Sequence, residues 1–145
     1  MRAARLLAAM CLIAGTGATP VIGRELTNVK IQLTVDGKVV HATLLDNATA
    51  RDFLSLLPMT LTLEDYVSTE KISYLPRKLS VVDSPAGVDP SPGDIAYYAP
   101  WGNLAIFYKD AVYAKGLVKL GRIDSGVEAL SVPGSLKAIV ARAAK

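Results

Sequence analysis

The stretch "GDIAYYAPWGNLAIFYKD" (93–110) limits the possible folds more than any other part of the chain, because it holds five of the nine aromatic residues. Ala99-Pro100-Trp101-Gly102 fits a type I turn with Pro second and Gly fourth, closing a three-residue hairpin loop with a G1 bulge. That loop predicts pairs of Ala99 with Asn103, Tyr98 with Leu104, Tyr97 with Ala105, Ala96 with Ile106 and Ile95 with Phe107. Both faces of the hairpin are then apolar. Such a hairpin must be covered twice, by a filled barrel interior on one side and by a helix, loop or partner on the other. On this reading Tyr97, Tyr98 and Phe107 are largely wall, since aromatic side chains dominate core burial. Trp101 stands at the tip, where solvent or a ligand meets it.

The rest of the chain supplies partners for such a wall. From Asn28 to Leu45 the sequence alternates around Asp36-Gly37, a two-residue hairpin signal. Pairing Val35 with Lys38 sets Leu33 opposite Val40, Ile31 opposite Ala42 and Val29 opposite Leu44, and puts His41 opposite Gln32 on the polar face. Asn47 can cap a helix over 48–57 with the stripe Ala50, Phe53, Leu54 and Leu57, which is the expected cover for the aromatic hairpin; Pro58 ends it. Met59, Leu61 and Leu63 alternate with Thr60, Thr62 and Glu64 as a strand. Short strands are expected around Ile72-Ser73-Tyr74 and Leu79-Ser80-Val81, a loop over "DSPAGVDPSPGD" (83–94), and a strand through about Ile123. After Pro133-Gly134 the spacing of Leu136, Ile139, Val140 and Ala143 predicts a short amphipathic helix.

A composition of 51% hydrophobic and 20% charged residues in 145 positions excludes general disorder and suits one core. Residues 1–23 read as a secretory signal peptide, with Arg2 and Arg5 before the apolar run "LLAAMCLIAG" (6–15), a run too short to span a bilayer at about 20 residues. The domain is expected over 29–132, followed by a C-terminal helix or tail over 133–145, and the protein is expected to be exported, periplasmic or secreted. Removing residues 1–23 takes Lys+Arg from 16 to 14 against 13 Asp+Glu, so the body is close to neutral and carries no basic stripe for nucleic acid. No membrane association is expected once the signal is gone. The only cysteine, Cys11, leaves with it, which removes thiol chemistry and cysteine-based metal sites.

No arrangement of residues fixes a reaction. His41 is the only histidine and its register makes it a surface residue. Asp83, Asp89 and Asp94 lack the alternation and terminal Glu of an EF-hand loop. Glu64 and Asp65 are adjacent on a strand and point to opposite faces, which makes them poor acid and base partners. No metal, cofactor or catalytic group is therefore expected.

"TLLDNATARDFLSLLPMTLTLEDY", "EKISYLPRKLS", "GDIAYYAPWGNLAIFY" and "LVKLGRIDSGVEAL" together resemble the bacterial cyclophilin-like fold family, over about Val29 to Leu130. The resemblance implies a mainly β protein, a closed eight-stranded barrel with one or two short helices, and no settled activity. Cyclophilins themselves are peptidyl-prolyl isomerases with an outer-wall groove, but this chain has no Phe-His-Arg or Gln-Gly-Gly-Asp run, and Gln32 is its only glutamine. The reading is a non-catalytic module binding a small molecule or peptide at a rim of Trp101, Asn103 and Tyr97, with Tyr66, Tyr74 and Arg77 as neighbours. There the aromatics supply a stacking face and Arg77 a charge. An unconventional isomerase and a structural or assembly protein are the alternatives.

Overall fold

The computed structural model describes residues 28–145; the signal peptide read over 1–23 and Cys11 lie outside the described residues. Strands β1 (Val29–Val35) and β2 (Lys38–Leu44) form the first hairpin, α1 (Ala48–Leu54) follows, and β3 (Met59–Tyr66) pairs with β4 (Glu70–Tyr74). A small ribbon joins β5 (Gly87–Val88) to β8 (Ala114–Lys115), and between them runs the aromatic hairpin, β6 (Asp94–Tyr98) and β7 (Asn103–Phe107). β9 (Leu117–Ser125) and β10 (Leu136–Arg142) complete a closed barrel in the order β1-β10-β3-β4-β7-β6-β9-β2. Every neighbouring pair is antiparallel and no barrel strand keeps an open edge.

The first hairpin has the register that Asp36-Gly37 predicts, with Leu33 opposite Val40 and Gln32 opposite an exposed His41. Its inward side chains Ile31, Leu33, Val35, Val40, Ala42 and Leu44 are all within 1% of full burial. Asn47 caps α1 by accepting the Ala50 N–H at 2.8 Å. Ala50, Phe53 and Leu54 of that helix join the barrel core, so α1 plugs an end of the barrel. The expectation that α1 covers the outer face of the aromatic hairpin is corrected. That face has its own cluster of Ala96, Ala105, Phe107 and Leu117, packed by Val88, Ala111 and Ala114 from the β5–β8 ribbon and the segment leading into it.

Two further expectations change. Residues 136–142 are a strand, because barrel closure needs a partner for both β1 and β3, and Leu136, Ala138 and Val140 bury at period two while Lys137 and Ile139 stay exposed. The helical stripe read there splits across two faces, and the barrel extends beyond 132 through Arg142. Leu79-Ser80-Val81 is irregular and not a strand.

β9 is bent by bulges where it leaves β2 and β6. At that corner a Cβ on Gly121 would lie 2.2 Å from the Thr43 carbonyl oxygen, so only glycine lets the two strands close. Among the described residues no helix is long and apolar enough to cross a membrane.

Candidate functional site

The tip of the aromatic hairpin is built one residue differently from the three-residue loop. The Tyr98 carbonyl accepts the Gly102 N–H at 2.9 Å and the Trp101 N–H at 3.3 Å, which makes Ala99–Gly102 a four-residue loop and pairs Tyr98 with Asn103 and Tyr97 with Leu104. Gly102, at φ +70°, supplies the left-handed residue that turns the chain back. The tip is tied to the start of β9: the Ala99 N–H donates to the Gly116 carbonyl at 2.9 Å, and Gly116, at φ +84°, leaves no room for a Cβ against the Pro100 ring. These ties hold Trp101 over the outer wall.

Strand parity decides what each residue can do. Ile95 and Tyr97 point into the barrel, where Tyr97 is 1% exposed and its hydroxyl oxygen accepts the Leu79 N–H at 3.1 Å. The placement of Tyr97 on the rim is thereby corrected. Tyr98, Asn103, Ala105 and Phe107 point the other way and line a cleft of about 380 Å³ on the outer wall. Trp101 closes one side, 46% exposed, edge-on to Tyr66 at 5.5 Å and to Tyr98 at 5.3 Å. Each such aromatic pair contributes about 0.5–1.5 kcal/mol beyond area burial and stiffens the rim.

The facing wall comes from two segments. In the β3–β4 turn, Val67 and Ser68 both have positive φ, 45° and 52°, and Val67 projects at the mouth, 72% exposed. The Thr69 carbonyl accepts the N–H groups of Tyr108 and Lys109 at 3.1 and 3.2 Å, which fixes the start of the segment carrying Asp110 and Val112.

Two polar groups inside the cleft stand out. Asn103, 1% exposed, donates its Nδ2 to the Leu104 carbonyl at 3.0 Å, while its Oδ1 is buried without a hydrogen-bond partner. The donor bond assigns the amide, since a flip would set two oxygens against each other. A buried acceptor in that state costs about 1–3 kcal/mol until something donates to it. Glu70, from β4, lies in the lining beside Phe107, and burial pushes its carboxyl up to about 7. The charged lining residues are Glu70 and Asp110, both acidic.

Of the residues singled out from sequence, Tyr66, Trp101 and Asn103 come together in this cleft. Tyr74 sits on the outer face of β4 at a separate shallow hollow, 66% exposed. Arg77 is engaged elsewhere, donating to Asp52 at 2.7 and 3.0 Å and to the Ser55 hydroxyl at 2.9 Å, and it holds the Asp52 carboxyl below the usual range. Both are corrected as members of the Trp101 rim. Tyr98 and Phe107, which the sequence reads as wall, and Glu70, which it does not mark, also line the cleft. For the first two the signal was available: alternation places them on the face of Asn103 and opposite Tyr97. Glu70 has no sequence signature, because its character comes from what packs around it.

The cluster around Lys71 is structural. This fully buried ammonium donates to the carbonyls of Val132 and Gly134 at 2.7 and 2.6 Å and pairs with Asp65 at 2.9 Å. Asp65 also accepts the Tyr108 hydroxyl at 2.8 Å and the Gly134 N–H at 3.0 Å. Lys71 and these hydrogen bonds lower the Asp65 carboxyl, and burial with Asp65 pushes the Tyr108 hydroxyl up to about 12. Among the described residues no three His, Cys, Asp or Glu side chains converge on a point where a metal ion could sit.

In comparison with known proteins, the model of the Cyclophilin-like family matches residues 33–140. No curated protein matches the chain. Among solved structures, the solution structure of the hypothetical protein AF2241 from Archaeoglobus fulgidus is similar, with a TM-score of 0.64 and 18% identity over 84% of this chain and 100% of that one. At that identity the likeness concerns the barrel fold alone.

Proposed function

The chain belongs to the cyclophilin-like family, and from that premise we propose that it is an exported, non-catalytic module that binds a small molecule or peptide in the outer-wall cleft. The observation that carries the reading is the buried Asn103 Oδ1, an acceptor without a partner on a residue that lines the cleft together with Tyr66, Tyr98, Trp101 and Phe107. Aromatic walls with few placed polar groups are the usual make-up of a ligand site, and the volume falls in the usual range. Export rests on the signal pattern of residues 1–23, and a periplasmic or secreted location follows from it. The near-neutral body speaks against nucleic acid as the partner.

Trp101 is the only tryptophan, so its emission reports on the cleft directly. A ligand that saturates the wild type is expected to shift or quench that emission and to lose at least tenfold in affinity, measured by calorimetry, on Trp101→Ala. Unchanged affinity in the variant would sink the site assignment.

The second reading is an unconventional prolyl isomerase. It is favoured by the position of the cleft on the outer barrel wall and by the apolar floor of Ala105 and Phe107. The cleft lining contains no arginine, and Arg77 is held by Asp52, so the electrophile of that chemistry would have to come from another group. A protease-coupled proline-peptide assay separates the two readings, since acceleration above background belongs only to the isomerase.

A further inference from the structure

The cleft has a direction. Glu70 pairs across the sheet with Phe107, and Tyr74 pairs with Asn103, so Glu70 and Asn103 stand four strand positions apart along one face. At about 3.3 Å per residue their backbones are about 13 Å apart. One end is acidic, with Glu70 and Asp110; the other has Asn103 in its lining, with its Oδ1 buried and without a partner. Ala105 lies between them and Phe107 beside Glu70, with the rings of Tyr66, Tyr98 and Trp101 at the rim.

The groups near Glu70 are Tyr66 from β3, Tyr108 and Asp110 from the segment after β7, and Lys71 from its own strand. Lys71 turns inward to Asp65, and Lys109 stacks 5.9 Å from the Tyr108 ring centroid, outside the lining. The acidic end therefore lacks a cation of its own, and the aromatic faces attract one.

We propose that the cleft takes an extended organic amine, with an ammonium head at Glu70 and Asp110, an apolar chain along the aromatic rim, and a second N–H donor at Asn103 Oδ1. This rests on the reading of the cleft as a binding site and names the class of ligand. A linear diamine and the free N-terminus of an extended peptide share this chemistry. Oδ1 is buried without a partner, and Trp101 emission reports any rearrangement of the rim as a donor reaches it. Binding favours the ionised Glu70, so affinity rises as pH increases through about 7. An alkylamine stays protonated past about pH 9, whereas a peptide's α-amino group loses its proton at about pH 8, so its binding falls again above that pH.

The test is calorimetry and Trp101 emission with 1,8-diaminooctane, octylamine, 1-octanol and octanoate at pH 8. The expected order is diaminooctane first, octylamine several-fold weaker, octanol about tenfold weaker again, and octanoate weakest. Glu70→Gln combined with Asp110→Asn is expected to remove the preference for octylamine over octanol, and Glu70→Gln alone is expected to remove the pH dependence. Ala-Ala-Ala-Ala-amide with a free or acetylated N-terminus separates the two sources: tighter binding of the free peptide than of diaminooctane points to peptide ends, the reverse to diamines. Octanol or octanoate binding as tightly as octylamine, or an amine preference that survives Glu70→Gln together with Asp110→Asn, overturns the amine assignment. If those two neutral or anionic probes bind and Trp101→Ala abolishes it, the cleft stands and only the ligand class fails. If no probe binds and no peptide binds, both fail.

Discussion

Replacing Val67-Ser68 by Asn-Gly is expected to stabilise the protein. Both residues occupy the left-handed region in the Tyr66–Thr69 turn, which the Thr69 N–H closes onto the Tyr66 carbonyl at 3.1 Å. A side chain with a Cβ costs about 1–2 kcal/mol in that region, and a β-branched valine is the least suited of all. Asn-Gly is the pair that such hairpin turns favour. Against the relief stand about 0.5–1 kcal/mol for the extra freedom glycine loses on folding and a loss of about 0.5–1 kcal/mol for the part of Val67 that is covered, only about a quarter of it. The net gain is about 1–2 kcal/mol, a rise in Tm of about 3–8 °C for a domain of this size. Calorimetric melting and urea denaturation with an unchanged m-value measure it, and an unchanged Trp101 emission maximum shows that the rim is intact. An unchanged or lower Tm would refute the argument that the turn is strained.

Two other perturbations follow from buried charge. Lys71→Met keeps the shape but leaves Asp65 without its cation and the Val132 and Gly134 carbonyls without a donor, a loss of about 3–5 kcal/mol in chemical denaturation. A loss under about 1 kcal/mol would mean the cluster is solvated. Glu70→Gln has a pH signature: folding raises the carboxyl from 4.5 to about 7, so the native state holds the proton more tightly and the wild type loses stability as pH climbs through that interval. The variant should be more stable at pH 8 by about 1 kcal/mol, the side chain being half in water, with the difference vanishing below pH 4.5. A difference that is flat with pH would place Glu70 in solvent.

The barrel was legible where local chemistry fixed it. Asp36-Gly37 has one good turn to make, and the whole first hairpin follows from it, down to the exposed His41. Asn47 announced the start of α1. Residues 136–143 carried two periods at once, and local propensity could not choose between them; the choice came from the unpaired edges of β1 and β3, which are distant in sequence. The aromatic loop failed by one residue because Pro100 and Gly102 allow a three- or a four-residue turn, and the tie to Gly116 that selects between them is non-local.

That one residue carries the functional argument. A hairpin apolar on both faces was read as wall with a single exposed tryptophan, but its two faces meet different surroundings. The inner one is sealed by the barrel core and α1. The outer one is sealed only in part: Val88 and Ala114 of the β5–β8 ribbon pack against its apolar cluster, while a cleft remains beside it with Trp101 46% exposed. An apolar face left half covered would expose the sheet to aggregation unless something interrupts it, and here the interruptions are Asn103, whose Oδ1 has no partner, and Glu70. Asn103 shares a face with Ala105 and Phe107, and the four-residue loop sets Tyr98 opposite it, where a slip of one residue would group it with Tyr97. The cleft therefore depends on the parity of β7, which its sequence sets, and on the ribbon's reach, which only the tertiary structure sets.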